Sequence, residues 1–132
     1  MTIAFWCVLV AGIMPIVWAA FAKMGPGSDF KHYTNNQPRA YLSQVTGMAQ
    51  RANWAQQNAW EAFAPFAAAI IIASFVGLTQ GWIDRLALIF IVARTIYGVA
   101  YILDQAYLRS LMWFVGFVCI VSLYIMAAVM VS

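Results

Sequence analysis

Residues 51–66 read RANWAQQNAWEAFAPF, which opens a long apolar run and still carries charge. On a helix, which turns about 100° per residue, Arg51 and Asn58 are seven positions apart and nearly eclipsed. Glu61 lies three positions further along the same face. A charged side chain inside a membrane costs roughly 2.5 kcal/mol or more, so it is rarely found there without a partner or a function. This face therefore predicts a polar site on a membrane helix.

The composition of the chain requires a lipid environment. The chain has 132 residues, of which 65% are hydrophobic and 8% are charged. A soluble domain of this length leaves much of its surface exposed and could not cover so much apolar area. At about 20 residues for each crossing, the length allows four transmembrane helices in one domain over residues 1–132. The sequence thus predicts an all-α, integral membrane four-helix bundle.

Apolar runs locate the four crossings. We predict spans at about residues 2–22, 54–79, 82–103 and 108–131. Pro38 suits the first turn of a helix, so we expect one long helix from about residue 38 to residue 79. Its first part is amphipathic and is expected to lie at the membrane edge.

Basic residues are distributed unevenly between the two ends of the predicted bundle. Short connections make neighbouring helices antiparallel, so Arg85 lies alone at one end. By the positive-inside rule the other end is cytoplasmic, and both termini lie outside. The net charge of +3 forms no patch, which argues against a nucleic-acid partner. The cytoplasmic basic residues are Lys23, Lys31, Arg39, Arg51 and Arg109.

Cysteine and histidine show no spacing typical of metal ligands. Cys7 and Cys119 both lie in apolar runs, where we interpret them as small buried hydrophobic residues. His32 is the only histidine, and it lies in the polar interval 24–38, where we interpret it as a surface residue. We therefore assign no metal site.

A second polar stripe lies on the third span. Arg94, Tyr97 and Tyr101 are three and four positions apart, which puts them on one face of a helix. Arg109 and Ser110 begin the fourth span on the same side of the membrane. The hydroxyl of Ser110 and the first amides of that helix offer donors to a negative atom.

Positive charge exceeds negative charge in this cluster. Arg51, Arg94 and Arg109 accompany one carboxylate within the spans, Glu61, and one in a nearby turn, Asp104. Even if each carboxylate pairs with an arginine, a cation is left over, which predicts an anionic ligand. The alternative is that Arg94 and Glu61 neutralise each other and the tyrosines belong to an interfacial belt.

These residues together resemble the signature of the MAPEG family, the membrane-associated proteins in eicosanoid and glutathione metabolism. The resemblance covers about residues 36–115 and rests on Asn-x-x-Glu-x-x-x-Pro-Phe at 58–66, on the Arg94–Tyr101 spacing and on Arg109-Ser110. Trp54 and Gln57 stand where the eicosanoid enzymes of the family carry basic residues. The pattern is therefore closer to the bacterial members, and prostaglandin synthesis is not expected.

The resemblance implies a homotrimer in the bacterial inner membrane, with glutathione bound between neighbouring subunits and a site open to the cytoplasm. It implies a transferase or peroxidase that acts on a lipophilic electrophile. Arg109 and Ser110 would be catalytic and would stabilise the glutathione thiolate, since a nearby cation lowers a thiol pKa from about 8.5. The residues implied to hold the tripeptide are Arg51, Asn58, Glu61, Arg94, Tyr97 and Tyr101.

Two other functions remain consistent with the sequence. Because Trp54 and Gln57 replace basic residues, the chain is also consistent with a non-catalytic subunit or scaffold of a larger membrane complex. Its Trp and Phe content is consistent with a module that binds lipid or quinone. A transporter is disfavoured because no inverted repeat or paired broken helix is present.

Overall fold

The computed structural model describes all 132 residues as an all-helical chain. A single 3-10 turn occupies Phe30–His32, and no strand is formed. Four of the helices are long and apolar enough to cross a membrane, which confirms the predicted all-α four-helix bundle. In chain order the helices are α1 (Ile3–Met24), α2 (Pro38–Leu42), α3 (Gly47–Phe75), α4 (Gln80–Ile102) and α5 (Ala106–Met130).

The predicted single helix from residue 38 to residue 79 is wrong. The short helix α2 ends at Leu42, and α3 begins at Gly47, whose φ of +56° lies in the left-handed region. The end of α3 is at Phe75 rather than at residue 79, and Gly77 follows with φ +78°. Glycine adopts these angles at little cost, so the backbone turns at both positions and one continuous helix does not form.

Close helix contacts and one aromatic stack hold the bundle together. Helix α1 packs chiefly against α3, and α4 packs against α5. At Gly98 of α4 an added Cβ would lie 2.3 Å from the indole of Trp18, so these helices approach closely because residue 98 has no side chain. Phe66 of α3 stacks on Phe90 of α4 with ring centroids 3.8 Å apart, and both rings are buried. The stack fixes α3 against α4 near the polar residues of both helices.

The segment between Met24 of α1 and Gly47 of α3 folds back onto the bundle. We call the end of the bundle where this segment lies the loop end. The backbone N–H of Thr46 donates to the carbonyl of Gly27 at 3.0 Å. Gly27 has φ +92°, and a Cβ there would lie 2.0 Å from the Thr46 carbonyl oxygen, so only glycine fits. The Tyr41 hydroxyl donates to the Lys23 carbonyl at 2.9 Å, which satisfies a free acceptor at the end of α1.

Asp84 caps α1 at the opposite end of the bundle. One of its carboxylate oxygens accepts hydrogen bonds from the backbone N–H of Ala4 and from the Gln80 amide, each at 2.8 Å. A carboxylate at a helix N-terminus is stabilised by the free N–H groups and the helix dipole. This contact was not predicted from the sequence, because it joins residues 80 positions apart.

The cysteines and the histidine lie where the sequence predicts. Cys7 and Cys119 are both buried with free thiols. His32 is exposed and contacts Asp29 through Nδ1 at 2.6 Å. These residues are therefore small buried hydrophobes and a surface side chain, respectively.

Candidate functional site

A hydrogen-bonded row of three side chains joins α3 to α4. Arg94 Nη2 donates to Asn58 Oδ1 at 2.7 Å, and Asn58 Nδ2 donates to Glu61 Oε2 at 3.1 Å. A guanidinium only donates and a carboxylate only accepts, whereas an amide does both, so asparagine can link the two. No carboxylate oxygen lies within 4.0 Å of Arg94, so Arg94 and Glu61 are joined through Asn58 and not by a direct ion pair.

This row runs from the interior to the surface of the subunit. Arg94 is only 4% exposed, whereas Glu61 is exposed. A buried cation without an adjacent carboxylate carries a desolvation cost, which hydrogen bonds and aromatic faces can offset in part. The interior end of the row therefore carries positive charge that no acidic side chain neutralises by contact.

Two tyrosines lie between Arg94 and Arg109. The Arg94 guanidinium lies 4.1 Å from the ring centroid of Tyr97, and the Arg109 guanidinium lies 4.5 Å from that of Tyr101. The two rings meet edge to face with centroids 5.6 Å apart. Each cation is attracted to the negative face of its ring. The structure thus brings the Arg94, Tyr97 and Tyr101 stripe next to the start of α5.

Asn58 lines three cavities that surround this cluster. The first, which we call the Arg109 crevice, measures about 280 Å³, and the second, the Trp54 crevice, about 400 Å³. The Arg109 crevice is lined by Asn58, Tyr97, Tyr101, Arg109, Ser110 and Trp113. The Trp54 crevice is lined by Trp54, Gln57, Asn58, Glu61, Tyr97 and Tyr101.

The third cavity, which we call the apolar cavity, measures about 210 Å³ and lies between α3, α4 and α5. Asn58, Glu61 and Arg94 form its polar end. The remaining walls are Ala62, Pro65, Phe90, Trp113, Gly116, Phe117 and Ile120.

Arg51 lies apart from these cavities. Its Nε donates to the backbone carbonyl of Ile102 at 2.8 Å, where α4 ends. The last carbonyls of a helix have no partner within the helix and attract cations. The structure therefore separates Arg51 from Asn58 and Glu61, with which the sequence pattern grouped it.

The aromatic and small residues that wall the apolar cavity on α5 were not predicted from the sequence. Trp113 and Gly116 follow Arg109 by four and seven positions, which puts them on the same face of α5. That spacing was the available signal. It was indistinct because aromatic and small residues are common along any apolar helix.

A family model described as the MAPEG family matches residues 3–129 of the chain. No curated protein matches it. The match includes every residue of the three cavities.

Proposed function

The chain belongs to the MAPEG family of integral membrane proteins, and from that premise we propose that it is a glutathione-dependent transferase or peroxidase acting on a lipophilic electrophile. One observation carries the proposal. The Arg109 crevice holds a half-buried guanidinium that has no carboxylate oxygen within 4.0 Å, and Ser110 lines the same crevice.

These two side chains suit a sulfur anion. Arg109 and Ser110 both carry hydrogen-bond donors, and both lie in the first turns of α5, near the positive end of its dipole. Glutathione supplies a thiol when it is bound, and a nearby cation increases the fraction of that thiol present as thiolate at neutral pH. We therefore assign the catalytic role to Arg109, with Ser110 as a second donor.

We assign the rest of the tripeptide to Asn58, Glu61, Arg94, Tyr97 and Tyr101. The exposed carboxylate of Glu61 suits the glutathione ammonium. The guanidinium of Arg94 has donors left for a carboxylate after its bond to Asn58.

Arg51 receives a different role in this proposal. Because its Nε is bonded to the Ile102 carbonyl, we assign it to holding the start of α3 against the end of α4. We propose that it acts chiefly as a positioning residue for the site.

We further propose that three copies of the chain assemble with glutathione between neighbours. Glu61 and the large apolar residues Trp54 and Trp60 are exposed on α3. In an isolated subunit the Glu61 carboxylate would face lipid, which is costly, and a neighbouring subunit would cover it. Native mass spectrometry from a mild detergent should show a trimer, whereas active monomers would contradict this part of the proposal.

The direct test of the proposed function uses purified protein in lipid nanodiscs. We expect calorimetry to show glutathione binding and expect chlorodinitrobenzene to be conjugated faster than in buffer alone. S-methylglutathione is the matched control, because it should bind and yet support no conjugation. A wild-type protein that neither binds glutathione nor conjugates any electrophile would overturn the proposal.

The Trp54 crevice favours a second candidate, a non-catalytic subunit or scaffold of a larger membrane complex. This crevice is the larger of the two and is lined by no cation. A scaffold predicts that Glu61→Ala lowers the melting temperature equally with and without glutathione. The enzyme predicts that glutathione raises the melting temperature of the wild type and raises that of Glu61→Ala much less.

A further inference from the structure

A turn of three residues, 103–105, joins α4 to α5. Its middle residue, Asp104, has φ +59° and is the one non-glycine residue of the chain in the left-handed region. Most residues with a Cβ avoid this conformation, and asparagine and aspartate adopt it more readily than the others. The turn lies between Tyr101 and Arg109, which both line the Arg109 crevice. It therefore joins two walls of the site proposed for the thiolate.

Two backbone hydrogen bonds close the end of α4 around Asp104. The N–H of Asp104 donates to the Tyr101 carbonyl at 3.2 Å, and the N–H of Gln105 donates to the Ala100 carbonyl at 2.8 Å. This pair of bonds forms a Schellman motif, which needs a left-handed residue at the position that Asp104 occupies. The bonds also satisfy two carbonyls that the end of a helix leaves free. The backbone angle of Asp104 is thus what allows α4 to end in this way.

The same turn begins α5. The Gln105 carbonyl accepts a hydrogen bond from the N–H of Arg109 at 2.9 Å, so Gln105 closes α4 with its N–H and opens α5 with its carbonyl. Arg109 lies four residues beyond Gln105, which is about 6 Å of helix. A rotation of about 10° at the turn would therefore move Arg109 by about 1 Å. The conformation of Asp104 thus determines where the Arg109 guanidinium lies.

The Arg109 guanidinium lies over the face of Tyr101, 4.5 Å from the ring centroid. The Tyr101 ring packs edge to face against Tyr97, which is buried, so it cannot easily follow a displaced cation. Tyr101 belongs to the last turn of α4, whereas Arg109 lies near the start of α5. Their contact therefore depends on the angle at which the two helices meet.

The charge of Asp104 does not explain its place in the turn. The residue is exposed, and no cationic nitrogen lies within 4.0 Å of its carboxylate. Arg109 therefore forms no ion pair with Asp104, although the two are only five positions apart. What Asp104 contributes to the site is its ability to adopt a left-handed backbone conformation.

Resting on the proposed function, we propose that Asp104 is a positioning residue, whose left-handed backbone holds the Arg109 guanidinium over the Tyr101 ring and so beside the glutathione sulfur. Asp104 acts through Arg109 and is assigned no contact with the substrate. The site should then survive any substitution that accepts the left-handed conformation, whatever its charge. Asparagine and glycine accept this conformation, whereas valine, which is β-branched, opposes it.

Thiolate absorbance in nanodiscs at saturating glutathione gives the first readout. We expect Asp104→Asn and Asp104→Gly to stay within about twofold of the wild type, and Asp104→Val to lower both thiolate absorbance and kcat about tenfold or more, because small displacements of a catalytic group are costly. Asp104→Ala should lie between these groups, and it replaces the valine variant if that variant does not fold. Full thiolate absorbance in both Asp104→Val and Asp104→Ala would overturn the proposal. An equal loss in Asp104→Asn and Asp104→Val would also overturn it, since the carboxylate would then be the active feature.

Gly77→Val is the matched control for strain. Gly77 follows α3 at the opposite end of the bundle, has φ +78° and would carry a Cβ that meets no atom within 4 Å. We expect this variant to lower the melting temperature as Asp104→Val does and to keep the thiolate absorbance of the wild type. A matching loss of thiolate in Gly77→Val would reduce Asp104 to a purely structural role and contradict the proposal.

Nuclear magnetic resonance without glutathione separates this proposal from the proposed function. In protein with isotope-labelled arginine, the Arg109 side-chain signal is the one that disappears in Arg109→Ala. We expect the Tyr101 ring to shift this signal in the wild type, Asp104→Asn and Asp104→Gly, and expect the shift to be lost in Asp104→Val and Tyr101→Leu. An unchanged signal in Asp104→Val would overturn the positioning role. A wild type that binds no glutathione would instead defeat the proposed function, and the resonance data would still decide whether Asp104 positions Arg109.

Discussion

The Arg109 crevice and the Trp54 crevice share Asn58, Tyr97 and Tyr101 and differ in charge. Helix α5 adds a guanidinium, a hydroxyl and an indole to the first, whereas α3 adds an indole, an uncharged amide and the Glu61 carboxylate to the second. In the proposed enzyme, Arg109 of α5 is the cation that would stabilise a thiolate. The larger crevice is lined by no cation, so a carboxylate would depend on the donors that Arg94 has left after its bond to Asn58.

Removing the cation of the Arg109 crevice should have the largest effect. We expect Arg109→Ala to lower kcat for glutathione conjugation about a hundredfold or more, because the group that stabilises the developing charge is lost. Steady-state kinetics measure this loss, and calorimetry should show a smaller loss of glutathione affinity. Arg85→Ala, which removes an arginine at the opposite end of the bundle, is the control. Equal kcat values for the two variants would contradict the role given to Arg109.

Neutralising Arg94, which donates to a residue that lines both crevices, should have the next largest effect. In Asn58→Asp a carboxylate would contact Arg94 directly and repel Glu61. We expect the dissociation constant for glutathione to rise about tenfold to a hundredfold, measured by calorimetry. Asn58→Gln, which keeps both the donor and the acceptor, should lose less affinity. Equal glutathione affinities of the two variants would contradict the role given to the row of Arg94, Asn58 and Glu61.

Adding a cation to the Trp54 crevice tests whether the lack of one there weakens glutathione binding. We expect Gln57→Arg to lower the dissociation constant for glutathione about threefold, because an exposed ion pair contributes little. Gln44→Arg is the matched control. It places the same charge at the loop end, at a position that does not line the crevice. Identical gains in both variants would indicate a general effect of charge rather than a vacant binding position.

Arg51 should have the smallest effect on binding, although the sequence places it on the same helix face as Asn58 and Glu61. We expect Arg51→Ala to change the dissociation constant for glutathione by less than about twofold, since its Nε is bonded to the Ile102 carbonyl. The melting temperature should fall by roughly 2–8 °C, because a charge-assisted hydrogen bond between α3 and α4 is lost. Thermal unfolding in the same nanodiscs measures this shift. A large loss of affinity with no change in melting temperature would assign Arg51 to the ligand instead.

Much of the fold could be predicted from the sequence because lipid imposes a simple constraint. A span must be about 20 predominantly apolar residues long, so long apolar runs with few charges revealed four helices without any knowledge of packing. The stripe of Arg94, Tyr97 and Tyr101 could be predicted because residues three and four apart share a helix face. The break between α2 and α3 could not, because it depends on the backbone angle of Gly47.

The direction taken by long side chains could not be predicted from helix periodicity. Periodicity places the Cα of Arg51 on one face, but its guanidinium reaches the end of α4 instead. Likewise, Asp84 contacts the start of α1, and Phe90 and Arg94 of α4 approach Gly116 of α5 closely. These contacts join distant parts of the chain, so no local pattern carries them.

The most direct measurement is the ultraviolet difference spectrum recorded when glutathione is added to the purified protein at neutral pH. We predict thiolate absorbance in the wild type and in Arg51→Ala, and its loss in Arg109→Ala at glutathione concentrations that saturate each protein. Two results would contradict the central claim that the unpaired Arg109 cation of α5 holds the reactive sulfur. One is glutathione bound to the wild type without thiolate absorbance, and the other is equal absorbance in Arg109→Ala.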